Sequence, residues 1–168
     1  FRQAGVIRVD TLEQLYDVAN LLAHQPAPMG RRVAILTNAG GPGILAADAC
    51  EAYGLELPGL REETAAALRG FLPPTASLRN PVDMIASATA EDYGRALRVL
   101  LTDDSFDSVI VIFIPPLVTQ AEQVAAAIRE AATALRGEKT VLTCFMSAQG
   151  APPELSRGGE CVLPSYAF

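Results

Sequence analysis

The feature that most constrains this chain is an alternation of short apolar runs with longer helical patterns. Val33-Ala34-Ile35-Leu36-Thr37, Leu55-Glu56-Leu57, Val109–Ile114, Thr140–Met146 and Glu160–Leu163 read as strands. Helical spacing of apolar residues covers the stretches between them: Ile44–Tyr53, Glu62–Leu72, Ala90–Leu101 and Thr119–Leu135. Strands of roughly four to seven residues separated by helices of roughly ten to fifteen are the pattern of βαβ units. The strands are apolar throughout rather than alternating, as in a parallel sheet covered on both faces. The expected fold is therefore α/β, a flavodoxin-like doubly wound parallel sheet of about five strands with helices on both faces.

An additional helix precedes the first strand. Thr11 caps it and Gln14 is placed to reach back, as in a capping box. Gln25-Pro26-Ala27-Pro28-Met29-Gly30 ends that helix. Residues 1–30 are read as a helix and linker from a preceding domain, and residues 31–168 as the α/β domain. The first residue is Phe1, and Ser165-Tyr166-Ala167-Phe168 follows a strand-like segment without a cap. Both ends are expected to be cuts within a longer chain.

Composition excludes several functions. The net charge is −6, and Lys139 is the one lysine among scattered arginines. Nucleic-acid binding requires clustered basic residues, so it is not expected. No run of 18 apolar residues is present, so no membrane span is expected. Cys50, Cys144 and Cys161 are far apart in the sequence, with neither zinc nor C-x-x-C spacing. Cys50 and Cys144, in apolar runs, read as small core residues of a cytoplasmic protein.

Two loops lie at the carboxyl ends of predicted strands, where ligands sit in open parallel sheets. In Thr37-Asn38-Ala39-Gly40-Gly41-Pro42-Gly43 the glycines let backbone approach a ligand. The following helix directs its free N–H groups and positive dipole end at the loop, which suits a phosphate or carboxylate. A tight turn with a packing glycine is the competing reading. The second loop is Pro115-Pro116-Leu117-Val118-Thr119. The prolines leave Leu117, Val118 and Thr119 as backbone donors, and Thr119-Gln120-Ala121-Glu122 reads as a capping box. A rigid strand stop is the alternative here. Asn80 and Asp83, in Asn80-Pro81-Val82-Asp83, are placed to support a loop or a substrate, or to bond their own turn.

Neither a P-loop nor a G-x-G-x-x-G dinucleotide motif occurs. His24, the one histidine, lies at the end of the first helix. No nucleophile–base pair can be assembled from it, so no catalytic residue and no metal ligand is assigned.

Val33–Asp48, Gly54-Leu-Glu-Leu57, Leu72-Pro-Pro74, Asn80-Pro-Val-Asp83 and Val109–Ala126, taken in order, resemble the NDP-forming acyl-CoA synthetases. These are the acetate–CoA ligase branch of the succinyl-CoA synthetase superfamily. The resemblance implies the second flavodoxin-like (ligase–CoA) domain of such an enzyme, not active alone. It also implies a parent protein that uses CoA, ATP/ADP and Mg, while the fragment itself binds no cofactor. Implied partners are CoA-binding, phosphohistidine and ATP-grasp domains or subunits, with a small carboxylic acid or acyl phosphate as substrate. The phosphohistidine would lie upstream of Phe1. By the same resemblance, Asn38, Ala39, Gly40 and Gly41 would stand beside the acyl substrate. Leu117, Val118 and Thr119 would begin the helix that steadies the phosphohistidine. Proteins of this kind also occur fused to GNAT-type acetyltransferases, so a ligand-sensing regulatory domain is the alternative.

Overall fold

The strand Val33–Thr37 (β1) is buried at every position, as its unbroken apolar run requires when both faces of a sheet are covered. In the computed structural model, which describes residues 2–116, 119–135, 139–157 and 162–166, β1 is the middle strand of five. The others are Ser77–Leu78 (β2), Val82–Asp83 (β3), Ser108–Phe113 (β4) and Thr140–Phe145 (β5), in the order β2-β3-β1-β4-β5. Strands β3, β1, β4 and β5 are parallel, and β2 runs antiparallel to β3 at the edge. The helices are Leu12–His24 (α1), Gly40–Ala52 (α2), Glu62–Arg69 (α3), Ala90–Leu101 (α4) and Ala121–Ala134 (α5).

Side chains alternate between the two faces, as strand geometry demands. Ala34, Leu36, Val109, Val111, Phe113 and Val141 join the large core beneath α3, α4 and α5. Val33, Ile35, Ile112 and Cys144 form a smaller cluster with Cys50 of α2 on the other face. The doubly wound expectation holds, with three helices on one face and α2 on the other.

Several local expectations need correction. Leu55–Leu57 is not a strand. It contributes a single bridge, Glu56 to Arg32, because the Asn80 carboxamide takes the next rungs along β1. The glycine segment is not a loop to Gly43, since α2 begins at Gly40. Pro42 therefore sits in its first turn, where a missing N–H costs nothing. The Thr119–Glu122 capping box does not form. Gln120 is the N-cap of α5 without a side-chain bond, and the Thr119 hydroxyl turns to the Ala88 carbonyl at 3.4 Å. Part of the last predicted strand lies outside the described residues. Pairing falls later, at Ser165 beside Thr143.

No residue of α1 is buried. Thr11 caps it as expected, while Gln14 reaches the Asp10 N–H rather than that of Thr11. Hydrogen bonds tie the helix to the β5 side. The Gln25 carboxamide accepts from Val141 N–H and donates to Val162 O, and Tyr166 donates to Asp17 O.

Candidate functional site

In chain order, β1 is followed by β3 on one side and then by β4 on the other. The chain thus reverses direction across the sheet at β1 and β4, and a crevice opens at such a reversal. The carboxyl ends of these strands are Thr37-Asn38 and Phe113-Ile114, so both predicted loops leave from this crevice.

Asn38 is 3 % exposed. Its side-chain amide donates to Ile114 O at 2.8 Å, and its side-chain oxygen accepts from Ile114 N–H at 3.0 Å. Both functions of the carboxamide are consumed in clasping β4, so Asn38 sets the position of the turn. Thr37 completes the turn by accepting from Ala39 N–H at 3.0 Å and donating to Ala39 O at 3.1 Å. Ala39 is the N-cap of α2, and no side chain caps that helix. The amides of Gly40 and Gly41 thus belong to the helix turn whose N–H groups lack intrahelical partners.

The three glycines differ in what requires them. A Cβ on Gly43 would stand 3.0 Å from Thr37 Cγ2 and 3.4 Å from Pro81 Cβ, so this is a packing glycine. A Cβ on Gly40 would stand 3.0 Å from Asp83 Oδ2. Gly41 is exposed, with nothing within 4 Å of a Cβ there. What position 41 asks of glycine is local, since it precedes Pro42 inside α2, where a Cβ disfavours the helical backbone.

Asp83 ends β3 with its carboxylate toward the start of α2, a favourable place for negative charge. Its Oδ1 accepts from Ile85 N–H at 2.9 Å. Ile85 has φ of +63°, a left-handed conformation that costs a β-branched residue about 1–3 kcal/mol. Asn80 does not face the crevice. Its carboxamide binds Ile35 N–H, Val33 O and Pro58 O, so it fastens the chain alongside β1.

Thr119 is half-buried and reaches the loop before α4 through Ala88 O. Leu117 and Val118 lie outside the described residues. The Asn38–Gly41 turn, Asp83 and Ile114 are therefore gathered at one edge, while Asn80 is directed elsewhere. Sequence reading missed Tyr93 and the segment 84–89. The available signals were Thr89-x-x-Asp92, which forms a complete capping box, and a tyrosine at a buried helical position. Tyr93 is fully buried, and its hydroxyl donates to Ile112 O at 2.9 Å. Burial, aided by the Asp83 charge, holds its phenol well above the usual range. It is therefore neutral and able to donate.

No acid–base or nucleophilic dyad stands at this edge among the described residues. None of their His, Cys, Asp and Glu side chains form a group of three or more able to hold a metal. His24 is exposed and bonded within α1. On the α2 face of the sheet is an open apolar groove of about 560 Å³, lined by Leu45, Tyr53, Ile110, Leu142, Cys144 and Tyr166 among others. Cys50 and Cys144 are buried, as expected, and burial pushes both thiols up. Cys161 is outside the described residues.

The fold defines a doubly wound α/β domain with an uncapped helix start at a strand-order reversal. Residues 33–151 match the ligase-CoA domain family, and the chain belongs to it. It is 42 % identical, over 99 % of its length, to the alpha subunit of an ADP-forming acetate–CoA ligase II from Pyrococcus furiosus, covering 36 % of that protein. It is 43 % identical to an ADP-forming acetate–CoA ligase I from Archaeoglobus fulgidus over 68 % of this chain and 16 % of that one. Among solved structures, a dinucleotide-forming acetyl-coenzyme A synthetase 1 from Candidatus Korarchaeum cryptofilum superposes with a TM-score of 0.90 at 26 % identity. That match covers all of this chain and 37 % of the other. The chain thus spans little more than a third of the longest-matched relatives.

Proposed function

We propose that this chain is one domain of an ADP-forming acyl-CoA synthetase and contributes the acyl and phosphate side of a site shared with other domains. The observation that carries the reading is the uncapped start of α2 at the β1–β4 reversal, in a chain that matches the ligase-CoA family. A phosphoryl relay asks little acid–base chemistry of such a domain. It needs fixed N–H donors that balance developing charge in a dry interface. Ala39, Gly40, Gly41 and the turn at Leu117, Val118 and Thr119 would present those donors, with Asn38 and Asp83 holding the edge in shape. Asn80 acts at a distance from it, fastening the chain alongside β1.

In this reading the phosphohistidine belongs to a part of the protein outside this chain. CoA, ATP or ADP, and Mg bind to the larger protein, on CoA-binding and ATP-grasp domains or subunits. Residues 1–30 serve as the helix and linker from a preceding domain. The substrate is a small carboxylic acid or its acyl phosphate, and the setting is cytoplasmic. One solved relative is described in complex with phosphate and ADP. Relatives named for acetate and for 4-hydroxybutyrate support the class of acid without selecting one. The alternative of an acetyltransferase-linked sensor gains no support from these relatives.

The test uses the intact protein with labelled ATP. Acid-labile, base-stable phosphate should appear on the protein and leave when CoA and acetate are added. Saturable acyl-CoA binding without any such label would overturn the ligase reading.

A further inference from the structure

Tyr93 interrupts the β1–β4 ladder at the crevice. Leu36 pairs with Val111 and Thr37 with Ile112. In a parallel ladder the next rungs would be Asn38 N–H to Ile112 O, then Ile114 N–H to Asn38 O. Neither takes that form. The Tyr93 hydroxyl donates to Ile112 O at 2.9 Å, and the Asn38 N–H lies beside the phenol. Ile114 N–H goes to the Asn38 side chain instead, at 3.0 Å. One hydroxyl and one carboxamide stand where two backbone rungs would form, and Ile112 O and Ile114 N–H both keep partners.

The wedge is rigidly mounted. Tyr93 stands in the first turn of α4, whose start is locked by the Thr89–Asp92 capping box. Its ring packs edge-on against Phe113 with centroids 5.6 Å apart. Phe113 in turn lies 5.3 Å from Phe145 of β5.

We propose that Tyr93 is a positioning residue that sets the opening between β1 and β4, and thereby the aim of the Ala39–Gly41 turn at the carboxylate or phosphate it binds. This rests on the function proposed above. Tyr93→Phe removes the oxygen, so Asn38 N–H and Ile112 O pair directly and draw the start of α2 toward β4.

In the full-length protein, Y93F should raise the KM for acetate about tenfold with kcat changed less than about threefold, because small misplacements of binding groups are costly. A role in stability alone would lower Tm and the active fraction and leave KM unchanged; that result overturns the proposal. Asn38→Asp, which weakens the same clasp at its Ile114 O contact, carries the same KM expectation and serves if Y93F does not fold. A crystal structure of Y93F reads the wedge independently of activity. Asn38 N within about 3 Å of Ile112 O supports it, and a water at unchanged spacing overturns it. Wild-type protein that makes no acetyl-CoA from acetate, CoA and ATP would sink the functional reading, while the crystal structure would still decide the wedge.

Discussion

Arg32 and Asp107 form a two-pronged ion pair, Nη2 to Oδ1 at 2.6 Å and Nε to Oδ2 at 3.0 Å. The Arg32 backbone N–H adds a third bond to Oδ2 at 2.9 Å. The pair joins the beginning of β1 to the beginning of β4, at the end of the sheet opposite the crevice. A Cβ on Gly30 would collide with the same carboxylate.

This pair gives stability a defined acid limb. The Arg32 hydrogen bond holds the Asp107 carboxyl below the usual range, against the opposing effect of burial. At Asp103 burial pushes upward, but bonds from Thr64 and Ser105 and the Arg61 charge leave the group lowered. Carboxyls lowered by folding stabilise the protein fully above the ordinary Asp value of about 3.9, and that stability is lost as pH falls through the folded values. Urea midpoints should therefore be flat from neutral pH to about 5 and fall below about 4. Asp107→Asn should lower the neutral midpoint and shallow the acid slope. An unchanged slope would mean that the ion pair makes no contribution.

Asn80→Ala should be among the most damaging single changes away from the core. It leaves Ile35 N–H, Val33 O and Pro58 O without their side-chain partner. The cost is about 2–4 kcal/mol for stranded buried groups, or about 5–10 °C in Tm for a domain of this size. Calorimetry on N80A measures it directly.

Gly41 and Gly43 should separate under the same substitution. Gly43→Ala forces a methyl against Thr37 and Pro81 and should cost about 1–3 kcal/mol by overpacking. Gly41→Ala meets open space beyond its chain neighbours and should cost less than Gly43→Ala, the remaining penalty being the clash of the new Cβ with the Pro42 ring. If G41A nevertheless raises the KM for acetate, the glycine is kept for the ligand's approach. Equal loss of stability in both variants would contradict this assignment.

The groove on the α2 face should be visible to a dye. Exposed contiguous apolar surface binds hydrophobic probes, so ANS fluorescence should rise with this chain folded at neutral pH. Leu142→Glu, which places a charge in the groove, should reduce that rise without unfolding the protein. An unaltered signal would place the dye elsewhere.

Much of the architecture could be read from periodicity alone. β1, β4 and β5 are continuous apolar runs, and four of the five helices were bounded to within a few residues. Several of the misses share a cause, which is that side-chain amides and hydroxyls imitate backbone. Asn80 takes rungs that the Leu55–Leu57 strand was expected to fill. Asn38 spends both of its polar atoms on Ile114, so its turn was located correctly while the amide's use was not. Thr119 joins the loop before α4 instead of capping its own helix. Local patterns cannot report partners such as Ile114, which is 76 residues from Asn38. Tyr93 escaped notice for the same reason, since its partner carbonyl belongs to another element.

The uncapped start of α2 has an evolutionary consequence. A site built from main-chain amides carries no signature that a search for acids, bases or nucleophiles would register. Its side-chain alphabet is free to drift wherever the curve of the chain is kept. Mutational scanning of such an edge should show tolerance at residues that face the ligand. It should show intolerance one layer beneath, at Thr37, Asn38 and Gly43, where shape is written. Inherited constraint and chemical contact would then lie on different residues.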